Sequence, residues 1–476
     1  MDAQRGISRR MVIGLPPEGL TPAWERDFAS FAPAGVILFA RDFRSLDDLR
    51  ALTSRLRELA RPRRLFLAID EEGGFVSQLG AHLTVPPNAL LLARGAAPGD
   101  LEWASRVTGE RLRALGVDWV FAPVADVHSR PRNPVIGPRA YATDPERTAA
   151  CIAEVVRGFR ASGIACCLKH FPGHGDTVLD SHFALPRCDA DRATLEAREL
   201  VPFRAGLEAG SVMSAHVVYP ALDPERPATF SRAVITDLLH GALGFAGLCV
   251  TDALEMKGAA QERTPFQAGT AALEAGCDLL MFAHWSEPVR RVRLELADAL
   301  VEGRVDRASY DAARPRLAEF DRLHPEPTAE ELARPIASLT PTDWEPRLEG
   351  IVERGLIVGG ALPEQARALP WRLTEPPFAY GPTLREELER AGLRVSGRGP
   401  AIEIVAVMSR TSLPPEETER LRALCAAGPT VIVGLQNDAF LDDLPAAAVR
   451  ISAADATPLT RRVVARRLAA LMRTPA

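Results

Sequence analysis

Over the first 300 residues the chain alternates between two patterns of apolar and polar positions. Short apolar runs lie at 11–15, 35–40, 65–70, 119–126, 164–170, 212–218, 248–252 and 278–283. Their length and near-continuous apolar character fit strands buried on both faces. Between them, stretches at 46–60, 101–116, 144–162, 190–209, 233–243, 264–275 and 287–302 repeat apolar positions at helical spacing. Eight strands alternating with seven helices predict an α/β fold, a parallel (β/α)8 barrel of the TIM type, rather than an open sheet. The residues that end the runs agree. Asp70, Asp126, Lys169 with His170, His216 and Asp252 all fall at strand carboxyl ends. A barrel spreads its chemistry around that rim, whereas an open sheet gathers it at one switch point.

From Pro325 the texture changes. Residues 325–350 are polar and rich in proline and read as a semi-rigid linker. Beyond it, apolar runs at 356–359, 402–407, 431–435 and 448–451 interleave with helical patterns at 384–391, 415–426 and 458–472. The expected organisation is a catalytic barrel over 1–324, the linker, and a smaller α/β domain, sandwich-like in its layers, over 351–476. The second domain carries no glycine-rich phosphate loop and no cluster of His or Cys.

Composition narrows the function classes. The 476 residues are 47% apolar and 25% charged, ordinary for a globular protein, with a net charge of −5. No basic footprint suggests nucleic acid or an anionic membrane as a partner. No apolar run approaches the length needed to cross a bilayer. The apolar stretch at 11–15 is too short, and too soon broken by Pro16 and Pro17, to form a signal-peptide core. Seven cysteines without CxxC spacing fit a reducing, cytoplasmic location, and the adjacent Cys166 and Cys167 read as small apolar residues within a strand.

The densest chemistry lies at 169–182, which reads Lys-His-Phe-Pro-Gly-His-Gly-Asp-Thr-Val-Leu-Asp-Ser-His and holds three of the nine histidines. His170 and His174 have the spacing of a helical metal pair, but Pro172, Gly173 and Gly175 make a helix there improbable, so no metal is expected. Asp180 stands two residues before His182, where a carboxylate can orient an imidazole and raise its basicity for acid/base work near neutral pH. Asp252 ends a buried strand, and cationic neighbours such as Lys169 or Lys257 would keep it ionised and nucleophilic. Glu255 competes for that role from one turn later. In Asp70-Glu71-Glu72-Gly73-Gly74, the strand-terminal Asp70 is the acid expected to accept hydrogen bonds from hydroxyls, the others forming a solvated turn. Arg139, alone in a Pro-rich loop, reads by itself as a surface charge.

Taken together these pieces resemble glycoside hydrolase family 3, within it the bacterial β-N-acetylglucosaminidases (β-N-acetylhexosaminidases). The likeness runs through residues 35–39, 69–74, 121–127, 133–145, 169–182, 214–231 and 250–258. It implies retaining, two-step hydrolysis that releases a terminal N-acetylhexosamine from small glycosides such as cell-wall fragments. Asp252 would be the nucleophile, His182 the acid/base and Asp180 its orienting partner. Asp70, Arg139, Lys169 and His170 match positions that hold the hydroxyls of the terminal sugar, and Asp126 and His216 match positions that line its pocket. The resemblance calls for no metal or organic cofactor.

One departure stands out. The family usually writes Asp-Gln-Glu-Gly-Gly-Arg-Val-x-Arg, but this chain has Phe75 and Gln78 in place of the two arginines. Gln78 matches a sugar-contacting position, so a charged bidentate donor has become a neutral one, worth roughly 1–3 kcal/mol of binding. Other readings stay open: phosphorolysis, a sugar-binding protein with little turnover, and a Schiff-base lyase using Lys169. The oligomeric state is not legible.

Overall fold

All eight predicted strands of the first domain are present, and they form one parallel barrel. They are β1 (Met11–Ile13), β2 (Gly35–Leu38), β3 (Phe66–Ile69), β4 (Trp119–Val120), β5 (Ala165–Phe171), β6 (Ser211–Ser214), β7 (Leu248–Thr251) and β8 (Leu280–Phe282). The structure is a computed structural model describing residues 6–181, 183–260, 263–393, 401–410 and 413–473. The chain divides into two units. The first comprises Met1–Glu71, Leu101–Ser129 and Thr143–Thr340, and the second Glu72–Asp100, Arg130–Ala142 and Pro341–Ala476.

In the first unit the hydrogen-bonded order is β7-β6-β5-β4-β3-β2-β1-β8, every pair parallel. A parallel bridge between Val250 and Leu279 joins the two ends. The strands read as apolar runs because each is covered by helices outside and by the barrel interior inside. Alternate residues fill that interior: Phe66 and Ala68, Trp119 and Phe121, Ala165 and Cys167, Leu248 and Val250 pack in one cluster. Trp119 Nε1 donates to Ser211 Oγ at 2.8 Å, so the buried indole keeps a partner. Cys166 and Cys167 are both buried, and burial pushes the Cys166 thiol up to about 12. They pack as the small apolar residues expected of them.

The structure departs from the helical pattern in several places, among them 233–243, which winds wider than an α-helix over Ala233–Ala242. The periodicity at 190–209 resolves into Arg192–Thr194, a wider-wound turn over Leu195–Glu199, and Leu200–Ala205. Pro202 lacks an N–H and its ring crowds the carbonyl four residues back, so a regular α-helix cannot run through. A helix absent from the expectation, Pro22–Phe31, follows β1; Thr21 caps it by accepting from the Trp24 N–H, and Trp24, Phe28 and Phe31 form its buried stripe.

The second unit is built on a five-stranded sheet. Its strands are β9 (Ile357–Gly360), β10 (Trp371–Thr374), β11 (Ile402–Val407), β12 (Thr430–Gly434) and β13 (Val449–Ser452), in the order β9-β13-β12-β11-β10. Only β9 runs antiparallel to its neighbour. The helices Leu384–Arg390, Pro415–Ala427 and Pro458–Arg473 fall where the sequence pattern places them. β10 was not expected, since four residues flanked by prolines give little periodicity; Trp371 and Leu373 nevertheless enter the core. Residues 325–350 hold a short helix, Ala329–Ala333, capped by Thr328 and Glu331, and the first turns of Trp344–Gly355, whose Trp344 is fully buried.

Candidate active site

The barrel rim brings four residues of the first unit into two close pairs. Lys169 Nζ lies 2.6 Å from Asp70 Oδ1, the lysine side chain almost fully buried. His170 Nδ1 lies 2.8 Å from Asp126 Oδ2, and the His170 N–H also donates to that carboxylate, at 3.2 Å. Consecutive residues of a regular strand point to opposite faces, yet both of these reach carboxylates that follow other strands, Asp70 after β3 and Asp126 after β4. The register of β5 against β6 shifts between Leu168 and Phe171, which is the kind of irregularity that re-aims a side chain at a barrel rim.

Asp126 is fully buried. Burial pushes its carboxyl up, but His170 and the 2.6 Å hydrogen bond from the His174 N–H outweigh that and hold it below the ordinary range. His216 has the opposite balance: burial lowers its pKa, with nearby Asp252 only partly restoring it, so the imidazole is neutral. Its Nε2 lies 3.1 Å from the Ala253 carbonyl, which can only accept, so Nε2 carries the hydrogen and Nδ1 faces Thr229 Oγ1 at 2.8 Å. His216 thereby fixes the backbone beside Asp252. Asp252 follows β7 directly, half-buried, and its Oδ1 accepts the Ala253 N–H at 2.7 Å. Glu255 is engaged elsewhere: its Oε1 accepts from the His284 N–H at 2.7 Å and faces His284 Nδ1 at 3.1 Å.

The loop after β5 comes back to the Asp252 segment. The Ser181 carbonyl accepts the Gly258 N–H at 3.0 Å, six residues past Asp252. A Cβ on Gly258 would fall 2.8 Å from Ser181 O and 3.1 Å from Ala184 O, so only glycine permits this approach. Asp180 is half-buried in that loop, its carbonyl accepting from the N–H groups of Phe183 and Ala184. His182 lies outside the described residues.

In the second unit, Arg139 and Glu72 form a bidentate pair, Nε to Oε2 and Nη2 to Oε1 both at 2.8 Å. Arg139 is 9% exposed, so the surface-charge reading of the isolated residue does not hold; a partner 67 residues away desolvates it. The solvated acidic turn gives way too. Glu71 is buried and Glu72 is neutralised by Arg139, because the turn is packed rather than projecting. Asn133 Oδ1 accepts from the N–H groups of Val135 and Ile136, shaping the loop that presents Arg139. Gln78, half-buried, follows the short strand Val76–Ser77. Phe75 donates its N–H to Asn88 Oδ1 at 3.1 Å, and Asn88 in turn donates to Asp455 and to the Ala454 carbonyl.

Two partners escaped the sequence reading. Glu72 had no local mark to separate it from Glu71. His174 stood in view, considered only as half of a metal pair; its flanking glycines were the signal that its backbone makes a close approach. Among the described residues no group of three or more His, Cys, Asp or Glu side chains is arranged to hold a metal ion.

Comparison with known proteins decides the family. Residues 26–320 match the model of the glycosyl hydrolase family 3 N terminal domain. The chain belongs to glycosyl hydrolase family 3. A Beta-hexosaminidase of Chromobacterium violaceum is 38% identical over 66% of this family-3 chain and 89% of the relative. A second Beta-hexosaminidase, from Alkalilimnicola ehrlichii, is 41% identical over 56% of this chain and 77% of its own length. The solved glycoside hydrolase family 3 β-N-acetylglucosaminidase of Paenibacillus sp. str. FPU-7 superposes with a TM-score of 0.87 at 27% identity, covering 98% of this chain and 96% of that one. The likeness to the Paenibacillus enzyme thus extends through the second unit, whereas the two sequence relatives match a shorter stretch. The protein is a glycosidase with a barrel of the family-3 type, as the resemblance implied.

Proposed function

We propose that the protein is a retaining exo-β-N-acetylhexosaminidase that releases terminal N-acetylglucosamine from small glycosides such as peptidoglycan turnover fragments. The observation that carries this reading is the Ser181–Gly258 hydrogen bond, which holds the segment bearing Asp180 against the segment bearing Asp252. The two halves of the expected machinery, some seventy residues apart in sequence, are backbone neighbours. The name of the Paenibacillus β-N-acetylglucosaminidase supports the same sugar, and that of the Chromobacterium Beta-hexosaminidase the broader class.

Asp252 attacks the anomeric carbon while His182, oriented by Asp180, protonates the departing oxygen. A covalent glycosyl-enzyme forms, and His182 then takes a proton from water, which attacks the same carbon and frees Asp252. The anion beneath the anomeric carbon also stabilises the oxocarbenium-like transition state. A histidine in this role, an imidazolium before it protonates the leaving oxygen and a neutral imidazole when it takes a proton from water, avoids a second carboxylate about 5–5.5 Å away, which would raise the pKa of one of the pair. Lys169, Asp70 and His170 take the sugar hydroxyls, Asp126 and His216 setting the groups around them. Arg139 and Gln78 keep the substrate-binding assignment that the resemblance gives them. Seven free cysteines, among them Cys249, whose thiol donates to Cys277 Sγ at 3.9 Å, support a reducing, cytoplasmic setting.

The test is kinetic. Asp252→Ala abolishes turnover, and His182→Ala slows glycosides with poor leaving groups far more than activated aryl ones. A panel of N-acetylglucosaminide, N-acetylgalactosaminide, glucoside and muropeptide substrates, assayed with and without phosphate, sets the sugar and the acceptor. Unchanged rates in both variants, or sugar 1-phosphate as the sole product, would overturn the assignment.

A further inference from the structure

We infer that His174 is the positioning residue that sets the register of the acid/base segment, an inference that rests on the reading of Asp180 and His182 given above. Nothing in the two-step chemistry uses this histidine, yet it is buried and anchored on three sides. Its backbone N–H donates to Asp126 Oδ1 at 2.6 Å. Its Nδ1 lies 2.8 Å from Thr177 Oγ1 and its Nε2 lies 3.1 Å from Ser181 Oγ. Thr177 has one hydroxyl hydrogen and places it on the His174 carbonyl at 3.1 Å. The imidazole therefore donates from Nδ1 to Thr177, leaving Nε2 to accept from Ser181. Both ring nitrogens are committed within the loop.

The hydrogen bonds divide the loop into a fixed base and an open crest. Thr177 and Ser181 are buried, whereas Val178 and Leu179 between them are 62% and 46% exposed. The three residues between Thr177 and Ser181 thus hang from a single imidazole. Ser181 follows Asp180 and precedes His182 in the chain, and its side-chain bond to His174 and its carbonyl bond to Gly258 fix the backbone at Ser181 itself. Through its own N–H, His174 ties that segment to the carboxylate that also holds His170. One residue links the group at the sugar to the group at the leaving oxygen. A misplacement of about 1 Å in such a segment is enough to cost on the order of 100-fold in rate.

The variants are His174→Ala and the milder Ser181→Ala, with His182→Ala in parallel. The readout is kcat/KM, which reports the steps through glycosyl-enzyme formation, on an N-acetyl-β-glucosaminide with a poor alkyl leaving group and on its 2,4-dinitrophenyl counterpart. Loss of acid catalysis appears only with the poor leaving group. His174→Ala is expected to lose roughly 10- to 100-fold on the alkyl glycoside and only a few-fold on the activated one. Ser181→Ala follows in the same direction with a smaller loss. Azide, which needs no general base, speeds turnover of the activated substrate by His174→Ala and yields the glycosyl azide.

Equal losses on both substrates, or none, would overturn the positioning role, since a purely structural defect does not sense the leaving group. If His174→Ala does not fold, Ser181→Ala decides by the same criterion. Should His182→Ala itself show no leaving-group dependence, the assignment of the acid/base fails. If His182→Ala shows it and both other variants do not, only the role of His174 fails.

Discussion

Lys169 Nζ and Asp70 Oδ1, 99 residues apart in sequence, lie 2.6 Å apart at the rim of the barrel. The lysine side chain is 3% exposed and the aspartate side chain 22%. Breaking a buried pair by removing one partner strands the other charge. Lys169→Met should lower unfolding free energy by roughly 3 kcal/mol, the low end of the usual range because Asp70 keeps contact with water. The double variant Lys169→Met/Asp70→Asn should recover most of that loss in urea unfolding while remaining inactive. Recovery of stability without activity separates the fold-holding from the substrate-holding part of the pair.

Gly173, between His170 and His174, packs against Glu199: a Cβ there would fall 2.6 Å from Glu199 Oε2. Burial pushes the Glu199 carboxyl up to about 7; Arg198 pulls it down, and the charges of Asp126 and Asp176 raise it further. A carboxyl raised on folding contributes stability that is complete below its unfolded value and is lost as pH rises through its folded one. Stability should therefore decline between about pH 4.5 and pH 7 by something on the order of 3 kcal/mol. Glu199→Gln should flatten that decline. Parallel stability–pH curves for the two proteins across this window would contradict it.

Within the second unit, the buried Asp455 gathers the N–H groups of Asn88 and Thr457 and the hydroxyls of Thr457 and Thr460, at 3.0, 3.0, 2.6 and 2.5 Å. Asn88 holds the Phe75 N–H, so this carboxylate anchors the hairpin that leads to Gln78. Asp455→Ala leaves buried donors without an acceptor and should cost about 3 kcal/mol in chemical unfolding. Asp455→Asn, which retains one carbonyl oxygen, should cost clearly less. Equal costs would show that the carboxylate charge, not its acceptors, holds the hairpin.

The sequence by itself determined the barrel. Strands of a parallel barrel are buried on both faces, so each is written as an apolar run, and the residue ending the run is at the rim whatever else the chain does. That placed Asp70 and Asp252 directly after β3 and β7 and Lys169 and His170 within the last residues of β5, while β6 and β4 stop two and six residues short of His216 and Asp126; the dense motif at 169–182 was enough to indicate the family. Tertiary structure alone decided how these groups pair. Which carboxylate meets Lys169, and that Glu72 rather than Glu71 meets Arg139, depends on which loops fold together across 99 and 67 residues. No local pattern records such a choice. The same holds for His174. Its spacing from His170 suggested a ligand pair, but the loop turns its ring back onto Thr177 and Ser181, because a hydrogen-bond partner is selected by distance in space and not by distance along the chain.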